Sequence, residues 1–208
     1  MINPLSQKAR EIVWGCLFGD GCLRKPSGTY INKDGKRINH YRHYKFQIRH
    51  SLSQIEYVNW LYENLKPVCH SEPKIYKQYL SRIQKEYKSV DIVTRTYSYF
   101  TRLRGYFYPE GKKVVSRKLL NKLTPLGLAV WHMDDGTTDK KGRVWLATNA
   151  FSYEEHKIIQ KYFIEVWGLK VSIVKERNAY KIAFNSSSSK FCNIIRPFVI
   201  GSMQYKLV

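Results

Sequence analysis

The sequence predicts an α+β fold that is built from two similar halves. The main observation is an internal repeat: the order helix, strands, helix, strands, helix occurs twice along the 208 residues. Each half opens with an apolar helical stretch that ends in an acid followed by glycine, in Gly19-Asp20-Gly21 and in Asp134-Asp135-Gly136. Helices and strands in this order are typical of the α+β class.

The first half is expected to cover residues 1–110 and to begin with a helix at about residues 6–19. Around residues 41–50, polar and apolar side chains alternate, which predicts a strand with one polar face and one buried face. A capping-box pattern, Ser53-Gln54-Ile55-Glu56, begins the next helix, which is expected to run to residue 65. The remaining elements are two strands, near residues 74–79 and 89–97, and a helix at about residues 99–107.

The second half, residues 111–208, is predicted to repeat this order. Its motif helix covers about residues 124–134 and its first strand residues 143–150, and a second capping box, Ser152-Tyr153-Glu154-Glu155, begins a helix that ends near residue 167. Two strands near residues 171–175 and 180–185 and a helix at about 190–199 complete it. A polar insertion at residues 26–39 is expected to form an exposed hairpin tip. The join at residues 109–123 is short, so the halves are expected to form one compact unit.

The charge of the chain points to a polyanionic partner. There are 36 Lys and Arg against 16 Asp and Glu, which gives a formal charge of +20. Nucleic acid is the first candidate. An anionic membrane is the second, but the sequence has neither an apolar run of about 18 residues nor a basic amphipathic helix. A membrane partner is therefore not expected.

The cysteines and the first ten residues indicate where the protein is used. The four cysteines form no Cys-x-x-Cys pair, which favours a reducing compartment. Residues 1–10 have neither the apolar core of a secretion signal nor the pattern of a transit peptide. The protein is therefore expected to stay where it is synthesised, in a cytoplasm, nucleoid or organelle matrix, and not to be secreted.

Asp20 and Asp135 stand at matching points of the two halves, and paired carboxylates bind metal. Gly15 and Gly19 lie four residues apart on one helix face, where the second motif helix can approach closely. A carboxylate at a helix C-terminus is unfavourable by about 0.3–1 kcal/mol. Two adjacent carboxylates also repel, and a divalent cation between them relieves both effects. Oxygen ligands without suitably spaced His or Cys favour Mg²⁺ over zinc. The alternative is that each acid is only a turn residue before a glycine.

At these residues the sequence resembles the LAGLIDADG homing endonucleases, specifically the single-chain type with two motifs that is encoded within introns. In the first motif Gly15 and Gly19-Asp20-Gly21 match, while Trp14 replaces a small residue. In the second motif Leu128-Ala129 and Asp134-Asp135-Gly136 match. The resemblance covers essentially the whole chain, including residues 123–125 and 204–207.

The resemblance implies two pseudo-symmetric αββαββα halves, with saddle-shaped sheets that straddle duplex DNA and with the motif helices at the centre. It implies that Asp20 and Asp135 are the catalytic acids that bind metal. The backbone carbonyls of Gly19 and Asp134 are implied to be supporting ligands.

The resemblance also implies that Lys113 and Lys206 lie near the scissile phosphates, with Lys112 as the alternative to Lys113. A lysine there can stabilise the negative charge of the transition state. Taken without the resemblance, each lysine is one of many phosphate-contacting or solvated charges in a basic chain.

The polar strand faces are expected to read the DNA bases, because a two-stranded ribbon fits the major groove and Arg, Lys and Gln bind purine edges. Each such residue is alternatively a phosphate contact or a solvated strand residue. The candidates are Lys45, Gln47, Arg49, Lys74, Tyr76, Gln78, Lys175, Arg177 and Lys181.

The leading hypothesis is site-specific cleavage of both strands of double-stranded DNA by one monomer with Mg²⁺. Carboxylate-bound metals stabilise the attacking and leaving oxygens in phosphodiester hydrolysis. Mn²⁺ is expected to substitute for Mg²⁺, and Ca²⁺ to support binding without cleavage. The alternatives are an RNA maturase that binds its host intron RNA and a DNA-binding regulator that does not cleave.

Overall fold

The structure is a computed structural model that describes residues 4–39, 42–80 and 84–208. Within these ranges the chain forms two compact units. The first unit is centred on Gly21–Tyr106, and the second contains Gln7–Asp20 and Phe107–Val208. The first motif helix therefore belongs to the same compact unit as the second motif helix. The predicted domain limits, 1–110 and 111–208, stay a prediction.

The helices and strands follow the predicted order. The α-helices are α1 (Gln7–Phe18), α2 (Ile55–Leu65), α3 (Ser98–Phe107), α4 (Arg117–Leu120), α5 (Pro125–Asp135), α6 (Tyr153–Trp167) and α7 (Ser188–Ile195). The strands are β1 (Cys22–Arg24), β2 (Thr29–Ile31), β3 (Arg37–Asn39), β4 (Lys45–Ser51), β5 (Lys74–Leu80), β6 (Lys85–Thr96), β7 (Gly136–Thr138), β8 (Val144–Leu146), β9 (Ser172–Glu176) and β10 (Ala179–Ala183). The series α1-β1-β4-α2-β5-β6-α3 and α5-β7-β8-α6-β9-β10-α7 confirm the repeat and the α+β class.

The first unit contains an antiparallel sheet with the strand order β1-β4-β6-β5. Burial alternates along β4, where Phe46 and Ile48 are buried and Gln47 and Arg49 are not, so the predicted two-faced strand is confirmed. The ring of Phe46 stacks with that of Phe100 in α3 at 6.2 Å. The core therefore lies on one side of the sheet and leaves the other side polar.

The insertion at residues 26–39 forms the predicted exposed hairpin. Strands β2 and β3 pair antiparallel, and the side-chain oxygen of Asn32 accepts hydrogen bonds from the backbone N–H groups of Asp34 and Lys36. Gly35 completes the turn at φ 74°, a left-handed conformation that favours glycine.

The second unit contains a sheet with the matching order β7-β8-β10-β9, also antiparallel. Its core is aromatic. The rings of Phe184 and Phe191 stack at 3.9 Å, and Phe163 of α6 packs against both Phe184 and Trp131 of α5. This core fixes α5, the helix that carries the second motif.

One of the two predicted capping boxes is confirmed. The Ser152 side chain accepts from the backbone N–H of Glu155, and the Glu155 side chain accepts from the N–H of Ser152. The capping box predicted at Ser53 is wrong. A 3₁₀ turn, Leu52–Gln54, precedes α2, and the Ser51 side chain caps that turn instead.

Among the described residues, no helix has both the length and the apolar character that a bilayer span requires.

The two serines give a matched test of helix capping. Ser152→Ala removes a cap and is expected to lower the free energy of unfolding by about 1 kcal/mol. Ser53 does not cap α2, so Ser53→Ala is expected to change the free energy of unfolding by less than about 0.5 kcal/mol. Urea unfolding of both variants measures the difference. Equal losses in the two variants would contradict the assignment of the caps.

Candidate active site at the ends of the motif helices

Within the second unit, α1 and α5 pack closely because glycine stands at two contact positions. A Cβ atom on Gly15 would meet the backbone oxygen of Gly127 and lie 2.8 Å from Val130 Cβ. A Cβ atom on Gly19 would lie 2.6 Å from Asp134 Oδ2. Neither position has space for a side chain, so the close approach predicted for Gly15 and Gly19 is present.

A hydrogen bond joins the ends of the two helices. The backbone N–H of Asp20 donates to Asp134 Oδ2 at 3.2 Å. Asp134 is buried, with 9% of its surface exposed, whereas Asp20 is exposed. The Asp134 carboxylate thus fixes the chain just beyond α1, where Asp20 stands, and Asp135 is the last residue of α5.

Asp135 lies in an environment that opposes its negative charge. Burial, followed by the charges of Asp20 and Asp134, raises its pKa from 3.8 to about 8, while Lys113 and Lys206 act in the opposite direction. A divalent cation stabilises such carboxylates in their charged form. The donor set, two aspartates with adjacent backbone carbonyls, is the oxygen set that Mg²⁺, Mn²⁺ and Ca²⁺ bind.

The two predicted lysines contact the backbone at the ends of the motif helices. Lys113 Nζ donates to the carbonyl oxygen of Gly19 at 2.8 Å. Lys206 Nζ donates to the carbonyl oxygens of Met133 at 2.6 Å and of Asp134 at 3.1 Å. Lys112 is exposed, so the structure brings Lys113, and not Lys112, to the motif. The carbonyls of Gly19 and Asp134 have a second lone pair each, and their role as metal ligands stays a prediction.

Two residues that the sequence analysis did not identify hold Lys206. His132 Nε2 lies 2.8 Å from the carbonyl oxygen of Lys206, and the Thr138 hydroxyl donates to the same oxygen. Burial lowers the pKa of His132 to about 4, so the ring is neutral at pH 7 and carries its proton on Nε2. Lys206 is 8% exposed, and burial lowers its pKa against the opposing effect of the aspartates. No sequence spacing indicates these contacts, because they join residues far apart in the chain.

A pocket of about 320 Å³ opens beside these groups in the second unit. It is lined by Asp134, Asp135, Gly136, Thr137, Thr138, Ala147, Tyr205 and Lys206. Carboxylates and a lysine that face one pocket can bind a cation and an anion side by side.

In the first unit, the predicted DNA-reading residues share one face of the sheet. Cross-strand partners lie on the same face, and the register pairs Arg49 with Asp91 and Asp91 with Lys74. Alternate residues along β4 and β5 then place Lys45, Gln47, Arg49, Lys74, Tyr76 and Gln78 on that face. Asp91, which is 3% exposed, and Arg24 of β1 also belong to it and were missed.

In the second unit, one of the three predicted readers lies on the other face. Lys181 pairs with Val174, and its Nζ lies 5.2 Å from the centre of the Trp145 ring. Lys175 pairs with Tyr180, whose ring packs against α6, so Lys175 lies on the helix side of the sheet. The register of the hairpin thus assigns neighbouring basic residues to opposite faces, and contact of Lys175 with DNA stays a prediction. Arg177 lies at the hairpin tip with φ 55°.

Comparisons with known proteins agree with this geometry. Residues 10–191 match the model of the LAGLIDADG DNA endonuclease family. The chain therefore belongs to this family. Over its whole length it has the fold of the homing endonuclease I-WcaI, solved bound to its DNA recognition sequence, with a TM-score of 0.84, 24% identity and 88% of that chain covered.

The chain is also similar in sequence to several curated proteins. The chain is 30% identical to the cytochrome b mRNA maturase bI2 of Debaryomyces hansenii over 99% of this chain and 75% of that protein. It is 34% identical to the probable intron-encoded DNA endonuclease 3 of Mycosarcoma maydis over 59% of this chain and 95% of that protein. It is 28% identical to the protein RecA of Mycolicibacterium flavescens over 99% of this chain, and there it spans about half, 48%, of the relative's length.

The helix contact can be tested with two glycines. Gly15→Ala places a methyl group against backbone and is expected to lower the free energy of unfolding by about 1–3 kcal/mol. Gly105, in α3, has open space at its Cβ position, so Gly105→Ala is expected to raise stability by about 0.5–1 kcal/mol through helix propensity. Urea unfolding checks both. A Gly15→Ala protein as stable as the wild type would contradict the close packing.

Proposed function

We propose that the chain is a divalent-metal-dependent endonuclease that cuts both strands of double-stranded DNA at a specific site. The observation that carries this proposal is the pair of acids, Asp20 and Asp135, at the joined ends of α1 and α5, with a lysine on the backbone beside each. The family and the Mycosarcoma maydis relative, named as a probable intron-encoded DNA endonuclease, support the same activity.

In this proposal Asp20 and Asp135 hold the metal, with Mg²⁺ as the expected ion and Mn²⁺ as a substitute. A bound divalent ion supplies activation of water and stabilisation of the leaving oxygen in phosphodiester hydrolysis. Asp134 keeps the two helix ends together, which sets the spacing of the acids. Each motif contributes one acid, so one monomer carries a complete site for two DNA strands.

Lys113 and Lys206 are proposed to stabilise the negative charge that builds on the phosphate. Each ammonium group is fixed by hydrogen bonds to helix-end carbonyls, and this preorganisation removes the need to reorient during the reaction. The buried surroundings of Lys206 strengthen its effect, because charges interact more strongly away from water.

Duplex DNA is the proposed partner, bound through the polar sheet faces and the net charge of +20. Each phosphate that a lysine or arginine neutralises adds about −0.9 to the slope of log affinity against log salt concentration. Affinity is therefore expected to fall steeply as salt rises.

A second candidate function is that of an RNA maturase. It is favoured by the similarity to the maturase of Debaryomyces hansenii, which extends over 99% of this chain. Basic strands can also bind an RNA backbone. A splicing assay with the intron that encodes the chain tests this function. Maturase activity is expected to persist when the two acids are replaced.

The nuclease is tested by incubating the protein with a library of candidate DNA sites in Mg²⁺ or in EDTA. Asp20→Asn and Asp135→Asn are expected to abolish cutting, while DNA affinity measured in Ca²⁺ stays within about tenfold of the wild type. The reason is that each change removes a metal ligand without removing a DNA contact. Metal-independent cutting, or cutting that survives in either variant, would contradict the two-acid site.

Adjacent lysines give a matched test of the basic group. Lys113→Met removes the ammonium that contacts Gly19 and is expected to slow cutting by about 100-fold, with a much smaller effect on binding. Lys112→Met removes an exposed charge and is expected to change both only slightly. Single-turnover cleavage rates and DNA affinities separate the two effects. If the cleavage rate and the DNA affinity fall by the same factor, Lys113 only binds DNA and has no role in the chemical step.

A further inference from the structure

A buried acid lies on the polar sheet face of the first unit, among the residues proposed to read DNA. Asp91 is in β6, and 2% of its side chain is exposed. A buried carboxylate is costly unless its oxygens accept hydrogen bonds. Arg49 and Gln47 of β4 supply these bonds.

The contacts of Asp91 are short and involve both oxygens. Arg49 donates from Nε to Oδ1 and from Nη2 to Oδ2, each at 2.8 Å, which is a bidentate ion pair. Gln47 Nε2 donates to Oδ2 at 2.8 Å. The guanidinium of Arg49 also lies 4.9 Å from the centre of the Tyr76 ring. Two side chains of the polar face are therefore held in place by one acid.

The carboxylate determines which way the amide of Gln47 is oriented. An ionised carboxylate only accepts hydrogen bonds, and an amide has one donor end and one acceptor end. If the amide of Gln47 were reversed, its Oε1 would face Asp91 and two acceptors would repel each other. Asp91 therefore holds the donor end inward and leaves the carbonyl oxygen for the outer side.

We propose that Asp91 is a specificity-determining residue, because it makes Gln47 present a carbonyl oxygen to the exocyclic amino group of a base in the major groove. This inference rests on the proposed function. Adenine and cytosine carry such an amino group, whereas guanine and thymine present acceptors at that edge. A glutamine that is free to turn its amide can present either end to a base, whereas Asp91 holds the amino end of Gln47 and leaves its carbonyl end for the base.

Asp91 also fixes the orientation of the Arg49 guanidinium. Two of its N–H groups are bound to Asp91, and the rest of the guanidinium is on a side chain that is 51% exposed. A fixed, half-exposed guanidinium loses little conformational freedom on binding. Asp91 thus orders two neighbouring side chains before DNA is present.

The test measures binding and not cutting, so that it is independent of the catalytic acids. Wild-type protein and Gln47→Ala are each used in Ca²⁺ to enrich double-stranded DNA from a randomised library, and the base pair whose preference is lost in Gln47→Ala is the pair that Gln47 reads. Asp91→Asn is then compared with Ser89→Ala, a control on the same strand and face.

Base analogues at that pair decide the orientation in the wild-type protein. Removal of the exocyclic amino group, with purine for adenine or 2-pyrimidinone for cytosine, is expected to lower wild-type affinity by about fivefold or more. Alteration of the acceptor on the partner base, with 4-thiothymine or 7-deazaguanine, is expected to leave affinity unchanged within error. The loss caused by amino-group removal is expected to shrink in Asp91→Asn and to persist in Ser89→Ala.

The outcomes separate this inference from the proposed function. A larger loss from the acceptor analogue than from amino-group removal would overturn the assigned orientation of Gln47, even if Asp91→Asn fails to fold. If amino-group removal lowers the affinity of a folded Asp91→Asn protein as much as that of the wild type, Asp91 does not orient Gln47 and has only a structural role. If Gln47→Ala keeps the wild-type sequence preferences, Gln47 reads no base. If the wild-type protein enriches no sequence at all, the proposed function itself fails.

Discussion

The close approach of α1 and α5 in the second unit is the constraint on which the candidate site depends. Glycine at positions 15 and 19 removes the side chains that would hold the helices apart. The two helices can then end together, and the hydrogen bond from Asp20 N–H to Asp134 joins their ends. A larger separation would leave the two acids isolated at two separate helix termini.

This packing places carboxylates where their negative charge is destabilised, and the nearby lysines offset only part of that effect. Acids are placed at the negative ends of two helix dipoles, and burial with neighbouring charges raises the pKa of Asp135 to about 8. Lys113 and Lys206 oppose this by donating to the helix-end carbonyls, which are the negative poles themselves. A divalent cation would offset the remaining imbalance, which agrees with the metal-dependent function proposed above.

Local sequence patterns predicted what depends on local structure, and failed where register or distant contacts decide. The motif helices, the two faces of β4 and the cap at Ser152 follow from short-range periodicity and spacing. The prediction of a cap at Ser53 was wrong because a 3₁₀ turn, which the sequence pattern does not indicate, precedes α2. The face on which Lys175 lies is set by a hairpin register that the pattern does not show, and the contact of His132 with Lys206 joins residues that no spacing rule relates.

The buried acids of this basic chain have a common role in the two units. Exposed carboxylates would repel a DNA backbone, and only 16 acids stand against 36 basic residues. Asp134 is buried against the end of α1, and Asp91 is buried beneath Gln47 and Arg49, so both are shielded from solvent by the groups they bind. Because a buried carboxylate must have donors, each acid forces its neighbours into one orientation. Asp134 and Asp91 thus set shape and charge at the proposed catalytic site and at the proposed DNA-reading face.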